Sequence, residues 1–330
     1  GASRALISRR TFLKGVLAAS AVGGAFGGFA LAEPFRLGVT RYKISPPNWP
    51  ADLRLKLAVV ADIHVVEPWM NLSRVAQIVA RTNALEPDAV LLLGDYVPSS
   101  GMQRWARRVG GGVIAPDDWA RELGRLKAPL GAHAVLGNHD WWEDPAAQSR
   151  GCGPTMSGLA LEKAGITVHE NDAIRLTKQG QAFWLAGLGD QDALLPFAGQ
   201  RSASFPGSAN TMTDRHQYAG VDDLPATLRR VSDHAPVVLM AHEPDIFAHM
   251  GDFADRVSLT VAGHTHGGQV RLLGYAPLVP SRYGSRYAYG HIVEDGRNLV
   301  VSAGLGCSGL PVRFGAPPEL VLIELGDETA

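Results

Sequence analysis

The sequence predicts an α/β protein that forms a four-layer α/β/β/α sandwich with two mixed sheets. In the first half of the chain, short apolar runs alternate with amphipathic helical patterns, which is typical of parallel β-α-β units. A second group of short strand patterns follows a change of character in the middle of the chain. Five of the apolar runs are followed directly by Asp, Asn or His, as in open α/β folds whose sites lie beyond the strand ends.

Size, charge and cysteine content limit the possible classes of protein. The chain has 330 residues and 46% hydrophobic content, which suits one large domain or two small ones. The formal net charge of −1 gives no nucleic-acid-binding signature. Cys152 and Cys307 lie far apart, which excludes a zinc ribbon and a CxxC redox motif, and leaves open whether they pair.

Residues 1–32 are predicted to be a targeting segment. Arg9 and Arg10 precede a Gly/Ala-rich, mildly apolar run, which ends in the small-x-small sequence at 30–32. This pattern predicts a Tat-type signal peptide and export to the periplasm, or to the outer face of the cytoplasmic membrane or the cell wall. Two alternatives are a retained membrane anchor and a disordered basic tail on a cytoplasmic protein.

The first half of the chain then predicts parallel strands. Residues 33–52 form a linker or an edge strand, and 53–330 are predicted to be a single domain. Alternation begins at Leu53, and an apolar run over 88–93 suits a strand covered on both faces. The predicted order is strand 53–60, helix 73–85, strand 88–93, helix 117–126 and strand 133–136.

The second half predicts another sheet. Residues 190–220 are polar and rich in Gly, Ser, Asn and Pro, so we expect a long loop over the site, while 275–290 are predicted to form a rim loop. The predicted helices are 158–164 and 222–231. The predicted strands are 166–168, 173–176, 183–188, 236–241, 258–262, 269–272, 298–302 and 319–325.

The polar residues at the strand ends are predicted to converge on one site. Asp62 and His64 are two residues apart, so on an extended chain their side chains would point the same way. Imidazole and carboxylate ligands suit zinc, iron or manganese. No cysteine is among these candidates, which argues against a structural zinc site. Seven groups can surround two divalent ions if one carboxylate, Asp95, bridges them. These seven are Asp62, His64, Asp95, Asn138, His242, His264 and His266.

These blocks resemble the signature of the calcineurin-like metallophosphoesterases, whose fold is the sandwich predicted above. The matching blocks are Asp62-Ile63-His64, Gly94-Asp95, Gly137-Asn138-His139-Asp140, His242 and Gly263-His264-Thr265-His266, in the family's order. Two further stretches, 267–269 and 302–313, resemble the bacterial envelope branch of YaeI/YkuE-type phosphodiesterases.

The resemblance implies a role for each matched residue. Asp62, His64 and His266 would bind one metal ion, Asn138, His242 and His264 the second, and Asp95 both. A bridging hydroxide would be the nucleophile, and His139 would act as general acid or stabilise the transition state. The chain lacks the Asp-Arg-Gly element of protein serine/threonine phosphatases after Asp95. A phosphoprotein substrate is therefore disfavoured, and the residue that orients His139 is left open.

We therefore expect a metal-dependent phosphoester hydrolase, and in particular a phosphodiesterase that uses two ions of Mn, Zn or Fe. Its expected partners are a phosphoester, including lipid- or cell-wall-linked ones, and the Tat export machinery. One alternative is a UDP-diacylglucosamine-type nucleotide-lipid pyrophosphatase, and another is a non-catalytic envelope protein. Several other polar residues are open between a role near the site and ordinary turns or solvated loops. They are Asp140, Asp190, Asp192, Glu243, Arg271, Arg282 and Arg286.

Overall fold

The computed structural model describes residues 26–47, 49–196 and 218–326. The twin arginines and most of the predicted targeting segment lie outside the described residues, as does 197–217 of the predicted long loop. No helix in the described part of the chain has the length and apolar character needed to cross a membrane.

The described helices and strands follow the predicted alternation. The helices are 26–32 (α1), Leu72–Asn83 (α2), Ser100–Arg108 (α3), Pro116–Leu123 (α4), Asn138–Trp142 (α5), Pro145–Arg150 (α6), Met156–Lys163 (α7) and Leu224–Arg229 (α8). The strands are Gly38–Ile44 (β1), Leu55–Val60 (β2), Ala89–Leu93 (β3), Ala132–Val135 (β4), Thr167–Val168 (β5), Asp172–Lys178 (β6), Gln181–Gly187 (β7), Val237–Met240 (β8), Leu259–Ala262 (β9), Gly290–Glu294 (β10), Arg297–Val301 (β11) and Glu319–Leu325 (β12).

The strands form two mixed sheets. The first has the order β1-β12-β2-β3-β4-β5, and all of its neighbours are parallel except the antiparallel pair of β12 and β2. The second has the order β10-β11-β9-β8-β7-β6, with parallel pairs in its centre and an antiparallel pair at each edge. The predicted parallel pairing of the first three core strands is therefore confirmed.

Three apolar clusters separate four layers. The middle cluster lies between the sheets and includes side chains of β2, β3 and β12 from one sheet and β7, β8 and β9 from the other. A second cluster packs α2, α4 and α7 onto the outer face of the first sheet. A third packs α8 and two 3₁₀ helices, Pro244–Ala248 and Gly251–Arg256, onto the second sheet. The predicted four-layer α/β/β/α architecture is confirmed.

Helix α2 illustrates how local sequence positions these layers. The Asn71 side chain accepts a hydrogen bond from the Arg74 amide at 3.0 Å, which satisfies a free N–H group at the start of the helix. Val75, Ile78 and Val79 then recur at helical spacing, and all three are buried against the first sheet. The helix therefore covers the face of β2 and β3 opposite the middle cluster.

Some predicted elements were wrong or missing. Residues 269–272 form no strand, because Val270 and Leu272 make only single bridges, to Phe314 and Tyr275, and the backbone at Gln269 is left-handed. The predicted rim loop ends where β10 begins. Helices α3, α5 and α6 were not predicted. Helices α5 and α6 have only five and six residues, and α3 has three apolar side chains among nine residues, so none of them shows a clear amphipathic pattern. In the segment predicted as linker or edge strand, β1 pairs at the edge of the first sheet.

Candidate metal centre

Five strand-end loops bring the predicted ligands together between the two sheets. Strands β2, β3 and β4 of the first sheet lead to the first three blocks, and β8 and β9 of the second sheet lead to the last two. Six of the seven side chains are buried, and His264 is partly buried. The structure thus places every predicted metal ligand in one region.

The backbone at this region is strained in a consistent way. Asp62, His64, Asp95, His264 and His266 all have positive φ angles, between 46° and 67°. Residues with a Cβ enter this left-handed region at a cost of about 1–3 kcal/mol, and such residues concentrate at functional sites. Asp62 and His64 do converge, but the predicted reason was wrong. They follow the end of β2 in left-handed turns and are not on an extended strand.

The first group of ligand atoms comprises Asp62, His64, Asp95 and His266. These atoms lie within 4.8 Å of one another. His64 Nδ1 donates to the Val97 carbonyl at 2.8 Å, so its Nε2 carries the lone pair. That Nε2 lies 3.0 Å from His266 Nε2 and 3.4 Å from Asp95 Oδ2.

The second group comprises Asp95, Asn138, His242 and His264. His242 Nδ1 donates to the Leu93 carbonyl at 2.6 Å, which leaves Nε2 facing the site. His242 Nε2 lies 3.2 Å from Asn138 Oδ1, 3.2 Å from His264 Nδ1 and 3.5 Å from Asp95 Oδ2. Asp95 Oδ2 therefore lies between an imidazole of each group, as a bridging carboxylate oxygen must.

The donor set fits divalent cations. Ring nitrogens and carboxylate and amide oxygens of these residues lie 3.0–3.5 Å from one another, and divalent metal ions bind such converging nitrogen and oxygen atoms. Burial lowers the pKa of His64 to about 4, so its ring is neutral at pH 7. Burial opposes protonation of His242, but the Asp95 carboxylate raises the pKa of His242 well above its usual range. The same negative charge would attract a metal ion in place of that proton.

The pKa values of Asp62 and Asp95 are shifted in opposite directions. Burial raises the pKa of Asp62 to about 7, although the His264 amide donates to both of its carboxylate oxygens, at 3.0 and 3.1 Å. Burial also acts on Asp95, but the nearby imidazoles of His242 and His139 lower its pKa well below the usual range. Asp95 is therefore the permanent negative charge between the two groups.

Asp140 holds the loop that carries Asp95. Its Oδ2 accepts the Asp95 amide at 2.8 Å and the Gly137 amide at 2.9 Å, and its Oδ1 accepts the Tyr96 amide at 3.1 Å. Gly94 permits this close packing, because a Cβ there would lie 2.5 Å from the Gly137 nitrogen. Asp140 thus has a role near the site and is not an ordinary turn residue, because it orders the loops that carry Asp95 and Asn138.

His139 lies beside both groups without belonging to either. Its backbone amide donates to Asp95 Oδ1 at 2.9 Å, and its ring contacts His64 and Trp142 edge-on. The ring atom Nδ1 is buried and has no hydrogen-bond partner. Glu143 Oε1, one helical turn further along, lies 3.9 Å from it. Glu143 is thus within ion-pair distance of the His139 ring but forms no hydrogen bond with it.

Comparison with known proteins identifies the family. Residues 55–268 match the family described as calcineurin-like phosphoesterase, which is more than half of the chain. The chain belongs to this family. It is therefore a phosphoester hydrolase, and its fold is the calcineurin-like one.

Two bacterial relatives match this chain over nearly their whole length. The metallophosphoesterase YkuE of Bacillus subtilis is 28% identical over 97% of this chain and 98% of its own length. The phosphodiesterase YaeI of Escherichia coli is 28% identical over 97% of this chain and 100% of its own length. Among solved structures, a dimetal phosphatase from Danio rerio matches with a TM-score of 0.42 and 15% identity, over 76% of this chain and 88% of that chain. The resemblance to YaeI/YkuE-type proteins is confirmed.

Sequence reasoning gave no role to Arg313, although it lies in the quoted 302–313 stretch. In this calcineurin-like phosphoesterase its guanidinium is fully buried, donates to the Gly306, Ala303 and Ala316 carbonyls, and has Nη2 3.2 Å from His266 Nδ1. Arg313 thus ties the 303–306 loop to a predicted metal ligand. A single arginine with no periodic or spaced partner gives no sequence signal for this contact.

The remaining open residues divide into two sets. Asp190 and Glu243 are buried beside His242, and one carboxyl oxygen of each has no hydrogen-bond partner. Burial raises the pKa of both, that of Glu243 to about 7, so these two extend the polar region behind His242. By contrast, the rim arginines have local partners. Arg282 pairs with Asp192 at 3.2 Å, Arg286 binds Glu294 through two bonds, and Arg271 lies over the Tyr289 ring.

Proposed function

We propose that this phosphoesterase is a phosphodiesterase that uses two divalent metal ions. The supporting observation is the position of Asp95 Oδ2, 3.4 Å from His64 Nε2 and 3.5 Å from His242 Nε2. A carboxylate oxygen between two imidazole groups suits paired ions, which when bound activate water and neutralise phosphate oxygens. The ligand chemistry suits Mn, Zn or Fe.

The residues of the site would then have separate roles in metal binding and proton transfer. Asp62, His64 and His266 would hold one ion, Asn138, His242 and His264 the other, and Asp95 both. His139 lies at the edge of the site, and its side chain is 13% exposed, so an entering leaving-group oxygen can reach it. We assign it proton donation to that oxygen, which is general acid catalysis.

A nucleotide-lipid pyrophosphatase is the second candidate from the sequence, and it would need room for acyl chains beside the metals. The cavity that borders His64, between Met70, Met102 and Leu305, has a volume of about 10 Å³. This is space for roughly one water molecule. That cavity by itself holds no acyl chain. The convergence of all seven predicted ligands argues against a non-catalytic binding protein.

We further propose export by the Tat route. The support is the sequence pattern of residues 1–32, with Arg9 and Arg10 before a Gly/Ala-rich run. Export in the folded state suits this enzyme, because its ligands come from five separated loops and the ions would load before the chain meets the metal pool outside the cytoplasm.

The function is tested by reconstitution of the purified full chain with Mn, Zn or Fe, followed by elemental analysis and an assay with an aryl phosphodiester. We expect two ions per chain and turnover, with the corresponding monoester hydrolysed more slowly. Asp95→Ala is the matched negative control, since it removes the shared ligand. One ion or fewer per chain, with no turnover under any metal, would refute the proposal.

A further inference from the structure

One face of the molecule carries a concentration of exposed apolar side chains. We call it the apolar face and define it by Phe26, Phe29 and Leu31 of α1, Leu272 and Leu273 in a tight turn, and Leu310. Leu273 is fully exposed, and Phe26, Leu31, Leu272 and Leu310 are each more than half exposed. Single exposed leucines need no explanation, but exposed apolar side chains grouped on adjoining segments mark an interaction surface.

Direct contacts join the three segments into one surface. The rings of Phe26 and Phe29 lie 5.4 and 5.5 Å from the Phe314 ring. The Phe314 amide donates to the Gln269 carbonyl, and the Arg271 amide donates to the Phe314 carbonyl. The Gln269 side chain also donates to the Leu310 carbonyl at 3.1 Å. Phe314 and Gln269 therefore connect α1, the turn at 272–275 and the loop at 308–310.

The charge of these segments indicates the kind of partner. The ranges 264–293 and 302–318 contain no Asp or Glu, and neither do residues 26–32 of α1. Basic groups border the face instead: the Arg36 guanidinium lies over the Phe29 ring at 5.6 Å, and Arg271 lies beside the turn. Apolar side chains with flanking arginines and no acidic groups are typical of surfaces that bind anionic lipid bilayers.

We propose that the apolar face docks on the surface of an anionic lipid bilayer. The face adjoins the metal centre, because the Gln269 amide donates to the His266 carbonyl at 2.9 Å. Docking would hold the site at the bilayer surface, where lipid-linked phosphodiesters are the available substrates. The choice of substrate rests on the proposed phosphodiesterase function, whereas the docking depends only on the described surface. Helix α1 lies inside the predicted targeting segment 1–32, so its part of the apolar face belongs to the chain that keeps this segment.

The test is a fluorophore at single cysteines of the full chain in a Cys152→Ser background; Cys307 is buried and does not label. Leu273→Cys reports on the apolar face. Leu159→Cys is the matched control, since Leu159 is 52% exposed on α7, which packs against α4 and β5 at the far edge of the sheet. With vesicles of phosphatidylethanolamine and phosphatidylglycerol, we expect a blue shift at 273 and none at 159. The shift should weaken on phosphatidylcholine alone and at high salt.

A second experiment separates docking from tethering by residues 1–25. A fluorophore at Leu310→Cys should shift on the same vesicles and should lose the shift when Leu272→Asp and Leu273→Asp are added, while Leu159→Asp leaves it unchanged. Equal shifts at 159 and 273, or a Leu310→Cys shift that survives the double substitution, would overturn the proposal. A shift that needs no vesicles and rises with protein concentration, with a dimer in sedimentation, would make a second copy the occupant. None of these readouts depends on turnover, so a failure of the proposed enzymatic function is recognised separately.

Discussion

The substitution His139→Ala should abolish most of the activity and leave the metals in place. The reason for metal retention is that His139 holds Asp95 through its backbone amide, at 2.9 Å from Oδ1, and alanine keeps that amide. The imidazole belongs to neither ligand group. Asp95→Ala, in contrast, removes the oxygen that faces both groups and should release the metals.

The size of the effect follows from the assigned role. Loss of a general acid typically costs ~10²–10⁴ in rate, or about 2.7–5.4 kcal/mol in the activation barrier. No hydrogen bond holds the His139 ring, since Nδ1 has no partner and Glu143 is 3.9 Å away. Packing against His64 and Trp142 orients it, so Glu143→Gln should cost much less activity than His139→Ala. A nitrophenyl ester should be affected less than an alkyl ester, because a good leaving group needs less proton donation.

The assay compares kcat for the two esters, with metal content measured in the same samples. The exposed His234→Ala is the control, and it should match the unmodified protein in both measurements. The assignment is refuted if His139→Ala loses metal as Asp95→Ala does, or if the two leaving groups lose rate equally.

Three further outcomes are expected. Burial, together with the neighbouring His133, lowers the pKa of His169 to about 4. The unfolded chain therefore binds more protons than the folded one as pH falls from 6.5 to 4, and the free energy of unfolding drops by about 3 kcal/mol. His169→Leu should make urea unfolding at pH 7 and pH 4.5 differ less. Gly304→Ala should weaken metal binding in calorimetry, because the new Cβ would lie 2.7 Å from the Cβ of Asp62, a predicted ligand. Gly110→Ala is the control and should bind metal normally, since Gly110 also has a positive φ but has open space around it. Replacement of Arg9 and Arg10 by Lys should leave active enzyme in the cytoplasm; fractionation that finds it in the envelope would contradict the Tat route.

Much of the first sheet could be predicted because its inner strands β2, β3, β4 and β12 are almost wholly buried. Such strands appear as continuous apolar runs, as over 88–93, and their polar ends are equally visible. Helices α5 and α6 could not be predicted because they have only five and six residues, and α3 because only three of its nine residues are apolar. The turn at 269–272 was mistaken for a strand, because its composition fits one while its left-handed backbone does not.

The sequence by itself determined which groups can bind metal, because carboxylate, amide and imidazole side chains follow five apolar runs whatever their exact geometry. Tertiary structure decided how they meet. Asp95 Oδ2 lies between His64 and His242, which are 178 residues apart in the chain, only because the two sheets pack face to face through the middle cluster. The contact of Arg313 with His266 and that of Phe314 with α1 have the same origin. Contacts between distant segments depend on packing and strand order, and no local pattern encodes them.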